Sequence, residues 1–223
     1  MDLISFCVAQ TQQCLKTTRT AMDMDSLDIR RTRPAKSNLI TPLRETASQT
    51  AGPYVHIGCL PNSVGVKGIY SNDLISNRLL ADAPITISGK VFEGEGIVCR
   101  DMMLEFWQAD ERGSYDNGIW QRTSTNLETG LFSIKTQMPG KISTAEGCVL
   151  APFISVWITA RGLNLGILTR IYFPEHENVI TQDPHMALVP ESRRSTLLAQ
   201  PLDGGYRFDI HLQGAAETVF FDV

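Results

Sequence analysis

No apolar run in the sequence approaches the ~18 residues that a membrane-spanning helix needs, so nothing in it reads as a span. It also lacks any C-x-x-C pair. Its five cysteines, Cys7, Cys14, Cys59, Cys99 and Cys148, are odd in number and widely spread. That pattern points to neither a disulfide framework nor a thiolate zinc site. They read instead as free, partly buried thiols of a cytoplasmic protein. No G-x-G-x-x-G, Walker A, G-x-S-x-G or H-E-x-x-H pattern occurs, which removes the common nucleotide-binding, hydrolase and zinc-protease chemistries. His56, His176, His185 and His211 form no His-x-His that would put two imidazoles on one face of a strand. A transition-metal site needs three or four converging donors, and the sequence offers no such set. Taken singly, each histidine reads as structural. Basic charge is not in excess either. Lys and Arg number 20 against 24 Asp and Glu, for a net charge of -4. A broad nucleic-acid-binding surface is therefore excluded.

What remains is an ordinary globular chain of 223 residues, 43% hydrophobic and 20% charged, with ample material for a core. Residues 1–36 differ from the rest. Lys16, Arg19, Arg30, Arg31, Arg33 and Lys36 stand there against Asp2, Asp23, Asp25 and Asp28. Asp2 replaces the basic start of a secretory signal, and so many aspartates argue against a transit peptide. Residues 1–40 are expected to be a flexible extension, followed by one domain over residues 41–223.

From Pro84 onward the hydrophobic period becomes that of strands. Ile85–Phe92, Met102–Ala109, Leu131–Gln137, Phe153–Ala160, Leu168–Phe173, Tyr206–Leu212 and Thr218–Asp222 are short, rich in β-branched and aromatic residues, and bounded by Gly, Pro or Asn. Helices are expected only near Asn72–Leu80 and Glu191–Ala199. Many strands with few helices between them predict an all-β fold, an antiparallel β-sandwich with short helices and long loops.

Three segments are more specific than packing requires. Ser48-Gln49-Thr50-Ala51-Gly52-Pro53-Tyr54 is a small-residue loop ahead of the strands, and Gly-Pro alone would make it a plain turn. In Leu104-Glu105-Phe106-Trp107-Gln108-Ala109-Asp110, Glu105 and Asp110 interrupt an aromatic strand, which also fits a half-exposed one. Thr159-Ala160-Arg161-Gly162 closes the very apolar Phe153–Ile158 run. Arg161 there can snorkel, or it can carry loop-borne function.

Together these segments resemble the intradiol ring-cleavage dioxygenases, and more narrowly the iron-free alpha chains of their two-chain members. Glu217-Thr218-Val219-Phe220-Phe221-Asp222-Val223, Thr169-Arg170-Ile171-Tyr172-Phe173 and Tyr206-Arg207-Phe208-Asp209-Ile210 fit in the same order. The likeness covers residues 43–223 and leaves the N-terminal extension aside.

The resemblance implies a β-sandwich, in agreement with the strands. It implies that a catalytic beta chain holds Fe3+ with two tyrosines and a His-x-His pair. In this sequence Phe153 and Ser155 stand where the two histidines would be. Lys141-Ile142-Ser143 offers no phenolate at one tyrosine position, and Tyr115 alone matches a ligand, as a relic. The chain is therefore expected to bind no metal and to pair with an iron-bearing beta subunit in a hetero-oligomer of alpha–beta pairs. The implied reaction opens protocatechuate with O2 between its two hydroxyl-bearing carbons. Neither nucleic acid nor membrane is an expected partner. Gly52 and Pro53 carry over as the loop closing the mouth of the substrate cleft. Arg161 carries over as a fixed positive charge for the substrate carboxylate, with Thr50 and Tyr54 in the same loop. Two alternatives stand beside this reading: a stand-alone intradiol dioxygenase acting on another catechol, and a non-catalytic β-sandwich used for binding or assembly.

Overall fold

The computed structural model of the chain describes residues 49–68, 85–145 and 147–222. The expected extension over residues 1–40 and the helix expected near Asn72–Leu80 lie outside them. The sandwich is built from the compact unit Gln49–Thr144 with Val149–Val223.

A short helix, Val55–Cys59, and a 3-10 turn, Pro61–Val64, precede the strands. These are β1 (Ile85–Phe92), β2 (Val98–Cys99), β3 (Met103–Gln108), β4 (Ile119–Ser124), β5 (Leu131–Thr136), β6 (Ile142–Ser143), β7 (Val149–Leu150), β8 (Phe153–Thr159), β9 (Ile167–Tyr172), β10 (Gln200–Leu202), β11 (Gly205–Arg207) and β12 (Ile210–His211). In a six-stranded sheet β1 is central. It pairs antiparallel with β5 and β2 and parallel with β11 and β12. The second sheet runs β4-β3-β8-β9, antiparallel throughout, and β6-β7 form a small hairpin.

Alternation builds the core. The inward residues Leu104, Phe106, Ile154, Val156, Ile158 and Ile171 of the four-stranded sheet meet Ile87, Val91, Phe132 and Ile134 of the other. Buried amides tie the two sheets. Gln108 Nε2 donates to the Gln137 carbonyl at 2.8 Å, its Oε1 accepts from Thr136 Oγ1 at 2.8 Å, and Gln121 Nε2 donates to the Lys135 carbonyl at 2.8 Å. These two buried amides thereby keep partners.

A second, smaller core lies on the outer face of the four-stranded sheet. There Phe153 and Tyr172 pack with Ile180, Met186, Val189 and Leu197 from the helical segment that follows β9. Asp183, fully buried, anchors this segment. Its Oδ1 accepts from the backbone N–H of His185 and Met186 at the start of helix Pro184–Ala187, and its Oδ2 accepts from Ala151 N at 2.8 Å. The helix expected near Glu191–Ala199 is present as Glu191–Arg194 with a 3-10 turn to Leu197.

The β-sandwich stands as expected, with local differences. The run expected over Tyr206–Leu212 is split at Phe208 and Asp209, where Asp209 Oδ1 takes the Lys90 N–H that a continuous strand would have bonded. Thr218–Asp222 is not a strand; it meets β9 through one bridge, Leu168 to Phe221. Cys59 and Cys99 are free thiols, as expected, but Cys148 is disulfide-bonded, which corrects the free-thiol expectation there. Among the described residues no helix is long and apolar enough to cross a membrane.

Candidate functional site

Strand β8 carries the residues of interest at both of its ends. At its far end the chain turns through Ala160 and Arg161. Thr50 Oγ1 donates to the Ala160 carbonyl at 3.0 Å, so the 49–54 loop is seated beside Arg161. Gly52 in that loop has φ +79, a left-handed conformation that glycine adopts without strain, and a side chain there would meet nothing within 4 Å. Pro53 follows, exposed, and Tyr54 is 73% exposed. Arg161 is 67% exposed, and its Nε donates to Asp101 Oδ2 at 2.9 Å. The ion pair uses only the Nε edge of the fork. Asp101 thus engages one edge of an exposed guanidinium, a group suited to a carboxylate. The Arg161 guanidinium lies at the surface rather than buried.

At the near end of β8 lie Phe153 and Ser155, the positions where the resemblance would put two histidine ligands. Strand register puts Trp120, Trp107, Ser155 and Arg170 in one row across β4, β3, β8 and β9 on the outer face. Tyr115 stacks on Trp107, with ring centroids 5.6 Å apart and planes inclined by 17°. Phe153 and Tyr172 stand opposite each other in the next outward row, their rings 5.9 Å apart. The Arg170 guanidinium lies 4.2 Å from the Phe153 ring centroid and 5.2 Å from that of Phe221. Its Nη1 donates to the Tyr172 hydroxyl at 3.4 Å, while its Nε is buried without a hydrogen-bond partner.

This environment governs the local ionisation. Burial pushes the Tyr172 phenol up to about 12, with the Asp183 charge adding to it and Arg170 opposing it. Burial likewise raises Tyr115, against the pull of Arg170. Burial, helped by Arg170, lowers His185 to about 4, so its imidazole is neutral at pH 7.

These residues do not fit a ferric ion. Phe153 has no donor atom, Ser155 brings a neutral hydroxyl, and the Lys141-Ile142-Ser143 stretch brings no phenolate. Tyr115 is a protonated phenol stacked on an indole. A guanidinium already sits over Phe153, and a second cation beside it would be repelled. Among the described residues no three His, Cys, Asp or Glu side chains cluster in a way that could hold a metal ion.

The structure thus separates the expected residues into two groups. Thr50, at the head of the Gly52-Pro53-Tyr54 loop, is bonded to Ala160 beside Arg161, while Tyr115, Phe153 and Ser155 gather around Arg170. Six residues separate Ser155 from Arg161, roughly 20 Å of extended chain at ~3.3 Å per residue. Sequence reasoning missed the parts played by Asp101 and Arg170. Alternation does place Arg170 on the Tyr172 face, but its position beside Ser155 follows only from the register of β8 against β9.

No family model matches the chain. Among solved structures it is similar to catechol 1,2-dioxygenase from Pseudomonas arvilla C-1, with a TM-score of 0.50 and 15% identity, over 63% of this chain and 55% of that one. The architecture is accordingly that of the intradiol ring-cleaving dioxygenases. Two relatives match far more closely in sequence. The protocatechuate 3,4-dioxygenase alpha chain of Pseudomonas putida is 40% identical over 197 residues, covering 81% of this chain and 97% of the relative. That of Burkholderia cepacia is 36% identical over 203 residues, covering 82% and 100%. The chain belongs to the family of protocatechuate 3,4-dioxygenase alpha chains.

Proposed function

We propose that this chain is the non-iron-binding subunit of a protocatechuate 3,4-dioxygenase. With an iron-bearing beta subunit it cleaves protocatechuate by O2 between the two hydroxyl-bearing carbons, giving 3-carboxy-cis,cis-muconate. Both oxygen atoms enter the product, so no external reductant is needed. The identity of 36–40% to alpha chains supports the reading. The observation that carries it is the separation along β8. The carboxylate-ready Arg161 and the loop bonded to Ala160 lie a strand's length from this chain's own metal position, and that position fits no ferric ion. Arg161 therefore serves a site completed by another chain. In that site Arg161 pairs with the substrate carboxylate, and Gly52 and Pro53 cap the mouth, with Thr50 and Tyr54 shaping the loop. The iron, which acts as Lewis acid and template for the catechol, resides in the beta subunit. Alpha–beta pairs assemble further into a hetero-oligomer. The cytoplasm is the compartment we assign, a reading supported by the free thiols of Cys59 and Cys99.

Kinetics of the alpha–beta complex test the role of Arg161. Arg161→Ala raises KM for protocatechuate about tenfold or more through the lost charge-assisted pair, with iron content unchanged. Arg161→Lys recovers part of the loss. KM for unsubstituted catechol, which has no carboxylate, stays put. Equal effects on both substrates, or failed assembly with normal kinetics in the remaining complex, would make Arg161 an interface residue instead.

A further inference from the structure

The Arg170 guanidinium is unusual in lacking an anion. Among the described residues no carboxylate reaches it within ion-pair distance. Asp183, whose carboxyl feels the Arg170 charge without forming an ion pair with it, is fully buried and already accepts three backbone N–H groups. Among the described residues, the Arg170 side chain hydrogen-bonds to the Tyr172 hydroxyl, at 3.4 Å. Two rings, Phe153 and Phe221, hold the guanidinium in place and supply no compensating charge. Partly buried charge without a partner is costly, and proteins normally pair it.

Besides the His185 imidazole, on which its charge acts, the neighbours are hydroxyls that can donate. Ser155 lies directly across the ladder from Arg170, and the hydroxyl of Tyr172 is bonded to it. Tyr115 is brought to the same row by its stack on Trp107, itself opposite Ser155. Trp107 and Tyr115 are 41% and 38% exposed, so the stacked pair forms an accessible aromatic wall at the edge of this cluster. A fixed cation, several hydroxyl donors and a flat apolar wall are the parts of a site for an aromatic acid.

We propose that Arg170, with the hydroxyls of Ser155, Tyr115 and Tyr172 and the Trp107–Tyr115 wall, forms an anion site that takes a small aromatic carboxylate. The guanidinium pairs with the carboxylate, and the ring of the ligand lies against the stacked pair. In this chain the position that holds a metal cation in its catalytic relatives has become a receptor for an anion. The site is separate from the Arg161 cleft and does not depend on the function proposed above.

Calorimetric titration of the full chain, purified without a partner and free of iron, tests the proposal with benzoate as the probe. Benzamide, its neutral isostere, serves as the control. Benzoate binds saturably with about one site per chain and benzamide at least about tenfold more weakly, since the charge-assisted pair supplies the difference. Arg170→Gln abolishes benzoate binding while the far-ultraviolet circular dichroism of the chain is kept. Arg170→Lys, which retains the charge, restores it in part. Arg161→Ala leaves it unchanged, which separates this site from the proposed cleft. The proposal is overturned if benzamide binds as well as benzoate, if the folded chain gives no saturable heat with benzoate, or if Arg161→Ala rather than Arg170→Gln removes binding.

Discussion

His185 shows how far one charge reaches in this fold. Its backbone N–H is held by Asp183, its imidazole is largely buried, and the Arg170 guanidinium lies near. Burial and that charge both disfavour the imidazolium, which lowers the group to about 4. In the unfolded chain the same histidine titrates near 6.5. Between about 6.5 and about 4 the unfolded state therefore binds more protons, and stability falls as the pH drops through that window. Above it the contribution of His185 is fully present. Asp183, whose carboxyl is pushed upward by burial, works in the opposite sense in the acid range, so the effect is best read at the histidine itself. An NMR titration of the His185 ring protons should give a midpoint near 4 in the parent chain. In Arg170→Gln the midpoint should rise yet stay below the ordinary histidine value, because burial remains. A parent midpoint near 6.5 would show that the ring is solvated.

At the scale of elements, β8 organises the chemistry and Asp183 secures what covers it. The inward residues Ile154, Val156 and Ile158 bind β8 to the core, leaving Phe153 and Ser155 on the outer face. The helical segment over Phe153 depends on one carboxylate. Asp183→Ala would strip acceptors from Ala151 N and from the start of helix Pro184–Ala187, at a cost of about 2–4 kcal/mol in chemical denaturation. Asp183→Asn keeps one acceptor oxygen and removes the buried charge, so it should cost clearly less. Equal losses in the two variants would mean that the charge, not the acceptors, is what matters.

Much at this scale was legible in the sequence. Ile85–Phe92 alternates cleanly because β1 is buried on one face and paired along both edges, and its observed limits match the pattern. The run Ile119–Ser124 escaped notice because Trp120, Arg122 and Ser124 give it a polar, half-exposed look, and because its inward Gln121 is a buried amide rather than an apolar residue. The 218–222 segment reads as a strand by composition, yet its carbonyls and amides bond largely outside any ladder, as with Val219 O to Thr169 Oγ1. Of the candidate site, Arg161, the Gly52-Pro53 loop, Phe153 and Ser155 were visible as motifs. Asp101 and Arg170 were not, since the contacts that give them meaning join residues far apart in the chain.

For the whole molecule, the two ends of β8 describe a division of labour. In the function proposed above, one end offers Arg161 and its loop to a site completed by another chain, while the other, with Phe153, Ser155 and the Arg170 guanidinium, holds no metal. On that proposal the chain functions only in company with its iron-bearing partner. The most direct test is the iron content and visible absorbance of the purified full chain, alone and after co-expression with its beta subunit. The account predicts a colourless, iron-free chain when alone. With the partner it predicts a burgundy complex that holds iron in proportion to the beta subunit and turns over protocatechuate. Stoichiometric iron in the lone chain, with the accompanying visible band, would contradict it and restore a stand-alone enzyme.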